Sequence, residues 1–226
     1  MRILFPLLLA LCAGEGIAAS VCYGTTGDGR LEDGVRLPSA GPNFVAYGTV
    51  PEMPGRTYVH STVRDVIVDA YRTLEREQAG KVFKYAETGF KKGGPFRPHK
   101  THRNGLSVDF MVPVTDSSGR SAHLPTHALN RYGYDIEFDA RGRYGEYAID
   151  YEALAAHIVA LHKAATRRGA GIWRVIFDPA LAPKLYRTTY GAYIRKHIEI
   201  PRRKSWVRHD EHYHVDFKVR CVAMKA

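Results

Sequence analysis

Apolar positions recur with a helical period in two stretches of the chain. In the first, Val63, Val66, Ile67, Ala70 and Leu74 fall on one face. Thr62 and Asp65 have the spacing of a capping box at its start, and Gly80 stops it. The second opens at Asp150, a good N-cap, and ends at Gly169, with Leu154, Ile158, Leu161 and Ala165 facing inward. Strand-like runs cover 81–90, leading into the Gly93-Gly94 loop, then 106–114, 172–177 and 213–221. In the run 106–114, Ser107, Asp109 and Met111 share one face while Val108, Phe110 and Val112 share the other. Residues 115–148 form a long excursion. Within it, 134–138 and 144–149 flank an Asp-Ala-Arg-Gly turn and read as a hairpin. A short helix is expected after Pro179. Residues 21–57, rich in Gly, Pro and Asn, read as an irregular arm. Its Gly27-Asp28-Gly29 is a turn and not a phosphate loop, since no strand precedes it and no helix follows. Strands and helices mixed without βαβ alternation predict an α+β domain: an antiparallel sheet flanked by helices.

The first twenty residues stand apart. Arg2 is a positive start, 3–13 are apolar, and Ala18-Ala19-Ser20 offers small residues for cleavage. This is a secretory signal, too short to span a bilayer and interrupted by Glu15. Residues 21–226 are enough for one domain, and no linker divides them. Two cysteines remain, Cys22 and Cys221, and in an oxidising compartment they are expected to pair. The formal net charge of +10 suggests an acidic partner. No nucleic-acid recognition motif accompanies it, and the free carboxylates of peptidoglycan match an exported basic chain better.

Candidate chemistry is concentrated in histidines. Five of the eleven occupy two short segments, 98–109 and 209–214, which offer His-x6-Asp and His-x-His. Two imidazoles and one carboxylate, with a fourth position open to water, make a catalytic zinc site. Gly105 allows a sharp turn between His102 and Asp109, and strand alternation puts His212 and His214 on one face. His102, Asp109 and His214 are assigned as ligands of one Zn²⁺. His212 is then the general base, or an imidazolium stabilising the oxyanion. His99 and His209 are supporting or substrate-contacting residues. His157 and His162 are expected at the surface or half-buried. His123 and His127 lack an acidic partner at matching spacing. The Arg202-Arg203-Lys204 run reads as a solvated face or a grip for a substrate carboxylate. Trp206 and Tyr213 could line a groove or pack in the core.

These residues carry a resemblance. Gly93-Gly94, Pro98-His99-Lys100-Thr101-His102, 105–109, His209-x-x-His212-x-His214-Val215 and Arg220-Cys221 are similar to the penicillin-insensitive murein endopeptidases. The Gly-Arg-Leu-x-x-Gly-Val-x-Leu-Pro run of the N-terminal arm is similar too. These enzymes belong to the wider lysostaphin, D-Ala-D-Ala peptidase and hedgehog metallopeptidase class. The resemblance implies that class's α+β fold and a periplasmic zinc endopeptidase cutting D-alanyl–diaminopimelate crosslinks of peptidoglycan. Three features depart from it: Ser107 stands where the family has an acidic residue, the chain stops soon after Cys221, and Glu211 precedes His214 by three residues. That offset is the one of the catalytic glutamate in D-Ala-D-Ala peptidases. In a regular strand Glu211 would face away from His214; a bulge would bring it in. Three other readings compete: a carboxypeptidase or dipeptidase of the same class, a non-catalytic, zinc-containing cell-wall-binding module, and a basic nucleic-acid-binding protein favoured only by charge.

Overall fold

The computed structural model describes residues 19–48, 55–203 and 205–224. Nearly all of the expected signal segment, and Lys204 of the basic run, lie outside the described residues. The N-terminal part holds β1 (Val21–Gly24), β2 (Gly29–Glu32), β3 (Val35–Arg36), β4 (Ala40–Gly41), β5 (Phe44–Ala46) and β6 (Tyr58–Val59). Helix α1 (Ser61–Glu77) leads to β7 (Phe83–Tyr85) and β8 (Ser107–Met111). The excursion supplies β9 (Val114–Thr115), β10 (Ser121–Ala122), a 3-10 turn (Ala128–Gly133), β11 (Arg143–Tyr144) and β12 (Tyr147–Ile149). Then come α2 (Tyr151–Arg167), β13 (Gly171–Ile176), α3 (Ala182–Leu185), α4 (Gly191–His197) and β14 (His212–Lys218).

The α+β class is as expected, but the main sheet is mixed rather than antiparallel. Its order is β13-β14-β8-β7-β5-β4, and β5 runs parallel to β7. The arm expected to be irregular therefore donates strands to the main sheet and folds β1 and β2 into a hairpin. The partner that ties the arm to the main sheet, β7 beside β5, lies far along the chain, where a local pattern cannot show it, and the local pairs are too short to display a period.

The N-cap of helix α1 lies two residues before Thr62, the expected cap. The Thr62 N–H donates to Nδ1 of His60, the actual N-cap, at 3.1 Å. Its five expected apolar residues are all buried, joined by Tyr71. Asp150 caps α2 as read from sequence, accepting from the Ala153 N–H at 3.0 Å. Both helices pack together against one face of the sheet. The alanines of α2 let it come close, and His157 enters the core among Tyr71, Phe83, Phe110 and Tyr213. His157 is thus fully buried, not near the surface as expected.

The run 106–114 is interrupted at Pro113, which has no N–H for the ladder. Beyond it, β9 joins a separate four-stranded sheet, β10-β9-β12-β11. The expected hairpin exists only in part, because β11 pairs with β12 while 134–138 forms no strand. That segment is held instead by the Phe138 N–H, which donates to the buried carboxylate of Asp210 at 2.6 Å. Cys22 and Cys221 are disulfide-bonded across 199 residues, and hydrogen bonds between Val222 and the Cys22–Gly24 backbone extend the tie. Among the described residues no helix is long and apolar enough to cross a membrane.

Candidate active site

The register of two central strands builds the site. β14 pairs antiparallel with β8 so that His214 lies opposite Asp109 and Asp216 opposite Ser107. Opposite residues of such a pair project to one face. His212, Asp109, His214 and Asp216 therefore share the face away from α2, while Tyr213, Val215 and Phe217 turn into the core. This divides the two aromatic candidates. Tyr213 is core, and Trp206 lines the cavity above the site.

His102 arrives from the loop before β8. Its backbone is left-handed, with φ of 68°. Gly105 has φ of 76°, and a Cβ there would lie 2.7 Å from the His60 backbone nitrogen, so only glycine fits the turn. The His102 Nδ1–H donates to the Thr88 carbonyl at 3.0 Å, which leaves Nε2 as the free lone pair. That atom is buried and has no hydrogen-bond partner, 3.3 Å from Asp109 Oδ1. His214 Nδ1 lies 2.8 Å from the same Oδ1.

The partners of these groups fix their roles. Burial pushes the His102 pKa down and keeps the ring neutral. Burial alone would raise the Asp109 pKa, but the surrounding histidines, His102 foremost, hold the carboxyl well below its usual range. Asp109 Oδ2 accepts from the Tyr134 hydroxyl at 3.0 Å and faces His99 Nδ1 at 3.8 Å. His214 Nε2 lies 2.8 Å from Asp216 Oδ1, which also accepts from Ser107 Oγ at 2.6 Å. Arg174 Nε donates to the other Asp216 oxygen at 2.7 Å. Held between two carboxylates, His214 is pushed up to about 10 despite burial, the Asp216 charge contributing most. Glu87 anchors the His99 ring by contact, as Asp216 anchors that of His214. It contacts His99 Nε2 and Arg56, and accepts from the Tyr47 hydroxyl at 3.1 Å.

His212 and Glu211 form a pair. His212 Nδ1 lies 2.6 Å from Glu211 Oε1, and both side chains line the cavity. Glu211 precedes the regular part of β14, so strand alternation does not turn it away as expected. Its pKa is raised, burial outweighing the pull of His212. The His212 pKa is also raised, the Glu211 charge overcoming burial. His209 donates Nδ1–H to the Val207 carbonyl at 3.0 Å, and burial lowers its pKa to about 3. A neutral His209 therefore offers Nε2 as an acceptor only, not as a donor to a substrate carbonyl.

The residues fit a divalent metal of the zinc type. An orphaned, fully buried imidazole nitrogen beside an ionised buried carboxylate is costly unless a cation completes it. The donor atoms of His99, His102 and Asp109 all lie within 4.8 Å of one another. His99, given a supporting part from the sequence, is thus within ligand range. The sequence patterns did not single out Glu87, Tyr134, Arg174 or Asp216. Of these only Asp216 had a signal, since it continues the alternation of His212 and His214.

A buried His-His-Asp group with anchoring carboxylates, under a cavity of about 840 Å³, is the kind of centre found in metallopeptidases. The chain matches the penicillin-insensitive murein endopeptidase family over residues 22–225 and belongs to it. No curated protein sequence matches it significantly.

Proposed function

We propose that the protein is an exported zinc endopeptidase that hydrolyses D-alanyl–diaminopimelate crosslinks of peptidoglycan. The observation that supports this best is the approach of His102 Nε2 and His214 Nδ1 to one oxygen of Asp109 at a cavity floor. In this reading residues 1–20 direct the chain to the periplasm and 21–226 form one metallopeptidase domain of the D-Ala-D-Ala peptidase and hedgehog type. His102, Asp109 and His214 hold one zinc ion. When bound, zinc supplies a Lewis acid and lowers the pKa of a coordinated water to about 7.

The chain's own residues do the rest. Glu211 occupies Nδ1 of His212, so Nε2 is the nitrogen that takes a proton and returns it to the leaving amine. Tyr134 holds the outer oxygen of Asp109, and Asp216 sets the tilt of His214. Glu87 fixes His99 beside them. A second cavity of about 470 Å³ shares the wall 205–209 with the first, which supports a substrate extending to both sides of the cleaved bond. An endopeptidase needs that space; a carboxypeptidase does not.

The test combines metal content with cleavage. The purified protein should carry about one zinc per chain and split crosslinked muropeptides, and a chelator should stop it. His102→Ala and His214→Ala should each lose most of the metal, while His99→Ala should keep it. Full zinc in His214→Ala, or loss in His99→Ala alone, refutes this ligand set.

A further inference from the structure

Five lysine and arginine side chains line the larger cavity, and four of them are already matched by carboxylates. Arg56 contacts Glu87, and Arg174 lies 2.7 Å from Asp216. Arg208 is bound to Asp210 and lies 2.9 Å from Glu137. Arg131 reaches Asp135 at 3.4 Å. The fifth is Lys100, whose ammonium has no carboxylate within 4.0 Å among the described residues. It sits instead over the indole of Trp206, 5.5 Å from the ring centroid. An aromatic face steadies a cation without cancelling its charge. Trp206 is itself 51 % exposed at the cavity.

The backbone fixes where this charge stands. Lys100 lies between His99 and His102, and both rings are pinned, one by Glu87 and one by the Thr88 carbonyl. The lysine is thus anchored beside the candidate metal centre, although its own side chain is exposed. The cavity's carboxylates at Glu87, Asp109 and Glu211 all have partners as well. Among the described residues, Lys100 is the lysine or arginine of this cavity left without a carboxylate, and an incoming negative group meets its counter-charge there.

Building on the peptidase reading, we infer that Lys100 and Trp206 form a subsite for a free carboxylate on the amine side of the cleaved bond. In a diaminopimelate crosslink that carboxylate is borne by the carbon carrying the acylated amine, next to the scissile amide. Lys100 acts as a specificity-determining residue: it selects acceptors whose carboxylate is ionised over those in which it is amidated.

Three crosslinked muropeptide dimers test this with the zinc-loaded protein: unmodified, amidated at diaminopimelate, and amidated at the terminal D-alanine. The wild type should show a KM about three- to tenfold lower for the unmodified dimer than for the diaminopimelate amide, the range of a partly exposed ion pair. Lys100→Met should abolish that preference at unchanged zinc content, and Lys100→Arg should restore it. A wild type without preference, or a Lys100→Met protein that keeps it, overturns the subsite. A preference that follows the terminal D-alanine carboxylate overturns the placement on the amine side. If no dimer is cleaved, the peptidase reading fails separately, and binding still decides. Quenching of Trp206 fluorescence in a Trp173→Phe protein should then show the same preference and the same loss.

Discussion

Asp109 is approached from four sides, by His102 and His214 at one oxygen and by Tyr134 and His99 at the other. The first three of these site residues, Asp109 itself included, were legible as spacing, because a strand and a tight turn translate sequence offset into direction. Tyr134 and Glu87 were not legible, because the strands expected at 134–138 and 81–90 do not extend over them: Glu87 lies beyond the end of β7, and Tyr134 sits in a segment that forms no strand. Glu211 shows the limit of the alternation rule, which holds only inside the ladder; one residue before β14, the side chain lines the cavity and meets His212. Two variants separate their roles. His212→Ala should keep zinc and lose turnover by on the order of 10²–10⁴, the contribution of one acid–base group. Glu211→Gln should cost about 10- to 100-fold, as expected for a group that orients another. Zinc content and crosslink cleavage measured together check this. A nearly normal His212→Ala beside an inactive, zinc-loaded Glu211→Gln would instead make the carboxylate the base.

At the scale of elements, α2 was readable almost to the residue because its cap and its apolar period agree. The polarity of His157 masked its position. It follows Leu154 by three and precedes Leu161 by four, on the inward face. Buried there, and with its ring against the Tyr213 hydroxyl, it is pushed down to about 3. The unfolded chain takes up this proton near pH 6.5, and the folded chain does not until far lower. The unfolded state binds more protons between those values, so stability is lost as pH falls from about 6.5 toward 3. Between pH 7 and pH 4 the loss is roughly 3 kcal/mol from this group. His157→Asn should lower stability at both pH values but narrow the difference between them by that amount. Urea titrations that give the same difference for both proteins would exclude His157 as its source. The strands of the N-terminal arm were the opposite case. They are two to four residues long, too short to show a period, and the one that joins the arm to the main sheet, β5, is defined by its distant partner β7.

For the whole molecule the long-range tie is the Cys22–Cys221 bond, which sequence and structure agree on. It closes a loop of about 200 residues, and on the chain-entropy view this is worth about 3–5 kcal/mol. A Cys22→Ala/Cys221→Ala protein should fold with its urea midpoint lowered accordingly, and native exported protein should show no alkylatable thiol. Two reactive thiols, or an unmoved midpoint, would contradict this. The same bond sets a mechanical property. Tension applied through the segments outside the two cysteines runs from one sulfur to the other and bypasses everything between them. The pairing of β8 with β14, and with it the opposition of Asp109 to His214, bears no load when the chain is pulled by its ends.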